Sequence, residues 1–137
     1  MLIKLLKLIK VVKKMYDEKH LIEVLKRNLK SELKVIEFYL ENAEKLNYKI
    51  NKKKIDALIF ESYNHASVIT KELLLLKTKN SKKMDKQTKE KALSEEKALQ
   101  EIYKYELKNT IDEDARKILE RLIKEETAHE KIVKSMK

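Results

Sequence analysis

EETAHE, residues 125–130, sets Glu126 and His129 three positions apart, so in a helix both fall on one face. In a chain with 41% charged residues such a pair arises easily by chance, and taken alone it reads as a solvated surface. Its counterpart decides otherwise. ESYNH, residues 61–65, brings a second histidine 64 positions earlier, with His65 answering His129 and Glu61 answering Glu125.

The same offset runs through both halves of the chain. Glu32 answers Glu96, Glu37 answers Glu101 and Tyr39 answers Tyr103, while the apolar pairs include Leu29 with Leu93, Val35 with Leu99, Ile55 with Leu119, Leu58 with Leu122 and Ile69 with Val133. Histidine and tyrosine are scarce here, so their agreement is poor material for coincidence. The repeat predicts two helical hairpins related by a pseudo-twofold axis. Helix 1 of this repeat is expected from about Asp17, or continuous with the N-terminal segment, to Leu46, with a turn at 47–51. Asn51 is expected to cap helix 2, which runs to about Lys77. Helix 3 is expected over 85–108, and TIDE, residues 110–113, has the capping-box spacing that opens helix 4 near Thr110.

Composition agrees with an all-α chain. The 137 residues include no Gly, no Pro and no Cys, which removes the usual breakers, disulfides and thiolate metal sites and suits a reducing, cytoplasmic setting. One domain is expected, a bundle over 15–137 preceded by an amphipathic segment, 1–14.

That segment, MLIKLLKLIKVVKK, puts Lys4, Lys7, Lys10 and Lys14 in one stripe opposite Leu5, Leu6, Leu8, Ile9 and Val12. As a helix it is roughly 21 Å long, short of the roughly 30 Å hydrocarbon core, so it does not span a membrane. Peripheral contact with an anionic membrane and packing on the bundle or a second subunit stand as equal alternatives. Net charge is +10, part of it in the connector 77–91, which lacks aromatics to stack on bases; nucleic acid therefore ranks third among partners. His20 is exposed and carries no assignment. The run Leu73 to Leu76 is more apolar than one bundle seam needs and hints at a homodimer.

On a helical wheel Glu32 falls in the middle of the apolar stripe of helix 1, and Glu96 holds the same place on helix 3. His65 lies on the face of Leu58, Ile69 and Leu73, and Glu126 and His129 share the face of Leu119, Leu122 and Val133. Three carboxylates and two imidazoles thus point inward with few basic residues beside them. Burying carboxylates without a counter-charge costs several kcal/mol each, so a cation should sit among them. Carboxylate oxygen with imidazole nitrogen suits iron, manganese or zinc.

This pattern resembles the ferritin-like di-iron carboxylate proteins, in which two helices each give a Glu and the other two each give a Glu-x-x-His pair. Rubrerythrin-like members are the nearest in kind, since they too place a tyrosine two turns after the first Glu, as Tyr39 follows Glu32. The resemblance implies an antiparallel four-helix bundle and a metal site of Glu32, Glu61, His65, Glu96, Glu126 and His129. Tyr39 and Tyr103 are then catalytic candidates beside the metal, against a default of core packing with the hydroxyl bonded to a carboxylate. Two iron ions are implied, as is an oxidoreductase that reduces peroxide or oxidises ferrous iron. The chain has no Cys with which to build a rubredoxin domain, so electrons would come from an external donor.

Two features depart from that family. Ser62 stands where the second helix should carry its Glu, and Glu61 lies one position early, to be brought round only by a π-bulge; without it the site holds one ion. A ferritin-like bundle also needs a connector crossing its length between helices 2 and 3, and about ten extended residues reach only about 33 Å, so a plain up-down-up-down bundle is the alternative. The competing function is a non-enzymatic helical bundle with a degenerate site, docked on a membrane or protein through its N-terminal helix.

Overall fold

The computed structural model describes residues 2–15, 17–80 and 83–137, except for the side chains of Lys14 and Met15. The side chain of Lys14 in the predicted lysine stripe, and Ser81 and Lys82 of the basic connector, therefore lie outside what is described. All regular structure among the described residues is helical: α1 is Leu2–Met15, α2 Glu18–Glu41, α3 Tyr48–Lys77, α4 Lys86–Asn109 and α5 Glu113–Ser135. The chain divides into two compact units, Met1–Ser81 and Lys82–Lys137. No described helix is long and apolar enough to cross a membrane.

The first unit is the hairpin α2–α3 with α1 laid on it. Asp17 caps α2, its side chain accepting from the His20 amide at 2.8 Å. Leu21 and Leu25 on α2 meet Ile69, Leu73 and Leu76 on α3, and Ile9 of α1 completes that cluster, with Leu5 and Val12 packed at its edge. Lys13 pairs with Glu72 beside this contact. The central apolar stripe of α1 is therefore spent on its own hairpin. Leu6 and Leu8, both expected on the packed face, are exposed, as is Ile3.

The second unit is the hairpin α4–α5. Among the described residues here Val133 is the one buried apolar side chain, and α4 buries none. Two cations tie its ends. The guanidinium of Arg116 on α5 donates to the carbonyls of Leu107 and Thr110 at 2.7 and 2.9 Å, where α4 ends. Lys89 on α4 donates to the carbonyls of Lys134 and Met136 at 3.0 and 2.7 Å, where α5 ends. Each thus satisfies carbonyls that a helix terminus leaves unpaired and lies favourably in the negative end of its dipole.

Three boundaries differ from the expectation. Helix α2 stops at Glu41 rather than near Leu46. The next helix begins at Tyr48, after Asn47 turns the chain in the left-handed region (φ 50°), and Asn51 sits inside it at a kink. Instead of capping the helix, the Asn51 side chain donates to the Leu46 carbonyl at 2.9 Å. Likewise Asp112, not Thr110, caps α5, accepting from the Ala115 amide at 2.8 Å. Thr110 donates back to the Glu106 carbonyl at 2.6 Å, a local bond that hydroxyl side chains at helix ends readily make.

Candidate metal centre

In the first unit, α2 carries Glu32 and α3 carries His65 toward each other, with His65 Nδ1 3.1 Å from Glu32 Oε1. In the second, α4 and α5 do the same with Glu96 and His129, whose Nδ1 lies 3.4 Å from Glu96 Oε2. The internal repeat is thus realised down to the ring nitrogen. Each hairpin builds its own glutamate–histidine pair across two helices.

The second pair has a third member. Glu126 is buried, and its Oε2 lies 3.4 Å from His129 Nδ1. Ligand atoms of Glu96, Glu126 and His129 all lie within 4.8 Å of one another. Despite these neighbours, Glu126 Oε2 is fully enclosed and makes no hydrogen bond of sound geometry. A buried acceptor left in that state costs free energy that a cation would recover. Proximity to Glu96, with which it can share a proton, pushes the Glu126 pKa above the usual carboxylate range. Desolvation and the Glu96 charge push the same way, and His129 pulls back only in part. Two carboxylates and an imidazole, one oxygen orphaned, form a donor set that fits a divalent ion of the iron, manganese or zinc type.

The first hairpin lacks this third member. Ser62, 64 residues before Glu126, is the other buried polar residue among the described residues, so the two occupy equivalent positions on α3 and α5. The helix is α-helical through this stretch, its one irregularity lying at Asn51, so no π-bulge turns Glu61 inward. Glu61 is half-buried and does not complete a three-ligand group with Glu32 and His65.

Tyr39 and Tyr103 are half-buried on α2 and α4. Tyr39 packs edge-on against Phe38, ring centroids 5.5 Å apart. Neither hydroxyl has a carboxylate partner among the described residues of its own hairpin. One contact escaped the sequence reading: Gln100 on α4 donates to the Thr127 hydroxyl on α5 at 2.5 Å, one turn from Glu96 and next to Glu126. It holds the two ligand-bearing helices together. Nothing in the repeat could signal it, because Ile36 and Tyr63 stand at the equivalent places.

No curated protein and no solved structure matches the chain. The Rubrerythrin family profile matches residues 23–137, a span that includes every residue of both glutamate–histidine pairs together with Glu126. With that match over nearly all of both hairpins, the chain belongs to the Rubrerythrin family, within the ferritin-like di-iron superfamily.

Proposed function

We propose that this protein is a cytoplasmic di-iron oxidoreductase that reduces hydrogen peroxide or oxidises ferrous iron. The observation that carries the reading is the enclosed, unpartnered Oε2 of Glu126 between Glu96 and His129. Glu96, Glu126 and His129 would hold one ion, and Glu32 with His65 a second. Bound ferrous iron supplies one electron per ion, so two ions and two protons suffice to take one peroxide to two waters, after which an external donor must return the electrons.

The chain's own groups have definable parts in this. Glu126 carries a proton more readily than an ordinary carboxyl before an ion arrives, and gives it up on binding. The Glu32 and Glu96 carboxylates face Nδ1 of His65 and His129, so this is the ring nitrogen that an ion held between carboxylate and imidazole would take. Tyr39 and Tyr103, two turns along from those glutamates, are the proposed proton donors. The test is stopped-flow mixing of anaerobically iron-loaded protein with peroxide. Two ferrous ions should be oxidised per peroxide, and Glu126→Ala should slow the reaction by at least about 10-fold, in line with what disturbing a metal ligand's surroundings already costs. Iron oxidation no faster than that of the free ion would contradict the proposal.

A second reading rests on α1, where Ile3 and Leu6 stay exposed beside Lys4, Lys7 and Lys10 although the helix is docked on its hairpin. That face suits an anionic membrane surface. Flotation with anionic vesicles, lost on Ile3→Asp with Leu6→Asp, would favour it; no flotation of the unaltered protein would dismiss it.

A further inference from the structure

The two hairpins supply an internal comparison that isolates one side chain. Both present a carboxylate and an imidazole Nδ1 in contact across two helices, at 3.1 Å in the first and 3.4 Å in the second. Both bury one polar residue on the histidine-bearing helix, three positions before the histidine, and there they differ: it is Ser62 in the first and Glu126 in the second. With neutral imidazoles the second set carries two negative charges, matching a divalent ion, and the first carries one. The second offers three ligand atoms within 4.8 Å of one another and the first offers only its pair. A serine hydroxyl is a neutral and weak donor, and its short side chain leaves the ion to take more of its coordination from water.

From this we infer that Ser62 makes the two metal positions unequal: the Glu96–Glu126–His129 set fills first and holds its ion, and the Glu32–His65 pair takes a second ion weakly and exchanges it with solution. The inference rests on the proposed metal-binding role and adds to it an order of filling and a residue that sets it. Affinity in metal sites follows ligand number and charge, and even removing a hydrogen-bond partner of a ligand costs about 10- to 100-fold. Loss of a whole carboxylate should therefore separate the two affinities by about 100-fold or more.

Calorimetric titration of the metal-free full chain with zinc(II) reads this without any activity. The expected isotherm has two steps, one tight ion followed by one at least about 100-fold weaker. In Ser62→Glu the weak step should move toward the tight one, and in Glu126→Ser the tight step should vanish, leaving two weak ions. Helix content by circular dichroism confirms that each variant is folded. Two ions of equal affinity in the unaltered protein would overturn the inference. So would Ser62→Glu with an unmoved second step, or loss of the weak ion in Glu61→Gln, which would assign the missing carboxylate to Glu61. Those outcomes leave the metal-binding role standing. Absence of any zinc binding in the unaltered protein would remove both.

Discussion

Without a cation, Glu126 sits enclosed beside Glu96, and its raised pKa has a measurable consequence for stability. The folded value lies above the ordinary 4.5, so the folded chain holds this proton more tightly than the unfolded one. The associated stability is fully present below pH 4.5 and is lost as pH rises through the folded value. Glu126→Gln keeps the neutral shape at every pH. The metal-free variant is therefore expected to have a higher urea midpoint than metal-free wild type at pH 7, with the gap closing toward pH 4. A gap that does not change with pH would contradict this account. Much of the residue-scale chemistry was legible in the sequence. Helical periodicity placed Glu32, Glu96, Glu126, His65 and His129 on apolar faces; in the structure Glu126 is buried, Glu32, His65 and Glu96 are half-buried, and His129 is exposed. Which of them touch was not legible, because a wheel fixes direction within one helix and leaves the register between two helices open. Glu61 was expected in the site only through a π-bulge, and the regular α-helical winding instead keeps Ser62 in the buried place.

At the scale of elements, the hairpin α4–α5 depends on its ends as much as on its seam. With only Val133 buried among its described apolar residues, the two cation caps and the Asp112 cap weigh heavily. Arg116→Met keeps the side chain's length and apolar stem and leaves the carbonyls of Leu107 and Thr110 without their charged donor. It should cost about 1.5–3 kcal/mol in urea unfolding, the range for hydrogen bonds to a charged group. Asp112→Ala should cost about 1 kcal/mol, whereas Thr110→Ala should cost less, since Thr110 is not the cap. Equal losses at the two positions would return the cap to Thr110. In the first unit, Ile69 is almost wholly enclosed, and Ile69→Ala should cost about 2–5 kcal/mol. The helices themselves were readable from apolar spacing in a chain without Gly or Pro. Their ends were not, because several cap-type residues crowd each turn, and the choice falls where the backbone leaves helical geometry, as at Asn47 with its positive φ.

For the whole molecule, the all-α class followed from composition and the family from the spacing of a few glutamates and histidines, and the family match over residues 23–137 bears both out. The place of α1 did not follow, because an amphipathic stripe states only that something apolar covers it. The structure supplies that cover from Leu21, Leu25, Ile69, Leu73 and Leu76. The two units differ in what holds them. One has a shared apolar cluster of three helices, and the other has capped ends around a carboxylate with one enclosed oxygen that makes no hydrogen bond. A ligand that binds only the folded form at 100 times its Kd adds about 2.7 kcal/mol. Removing metal with a chelator should therefore speed hydrogen exchange in α4 and α5 before it does so in α1–α3. Uniform loss of protection would contradict that assignment.

The account stands on the claim that Glu96, Glu126 and His129 bind a metal ion. Its most direct test is metal per chain by elemental analysis after anaerobic loading with ferrous iron and removal of unbound metal, with the Glu126→Ala, His129→Ala double variant alongside. At least one ion per chain in the wild type, lost in the folded variant, is the predicted result. No retained iron, or the same amount in both proteins, would contradict it.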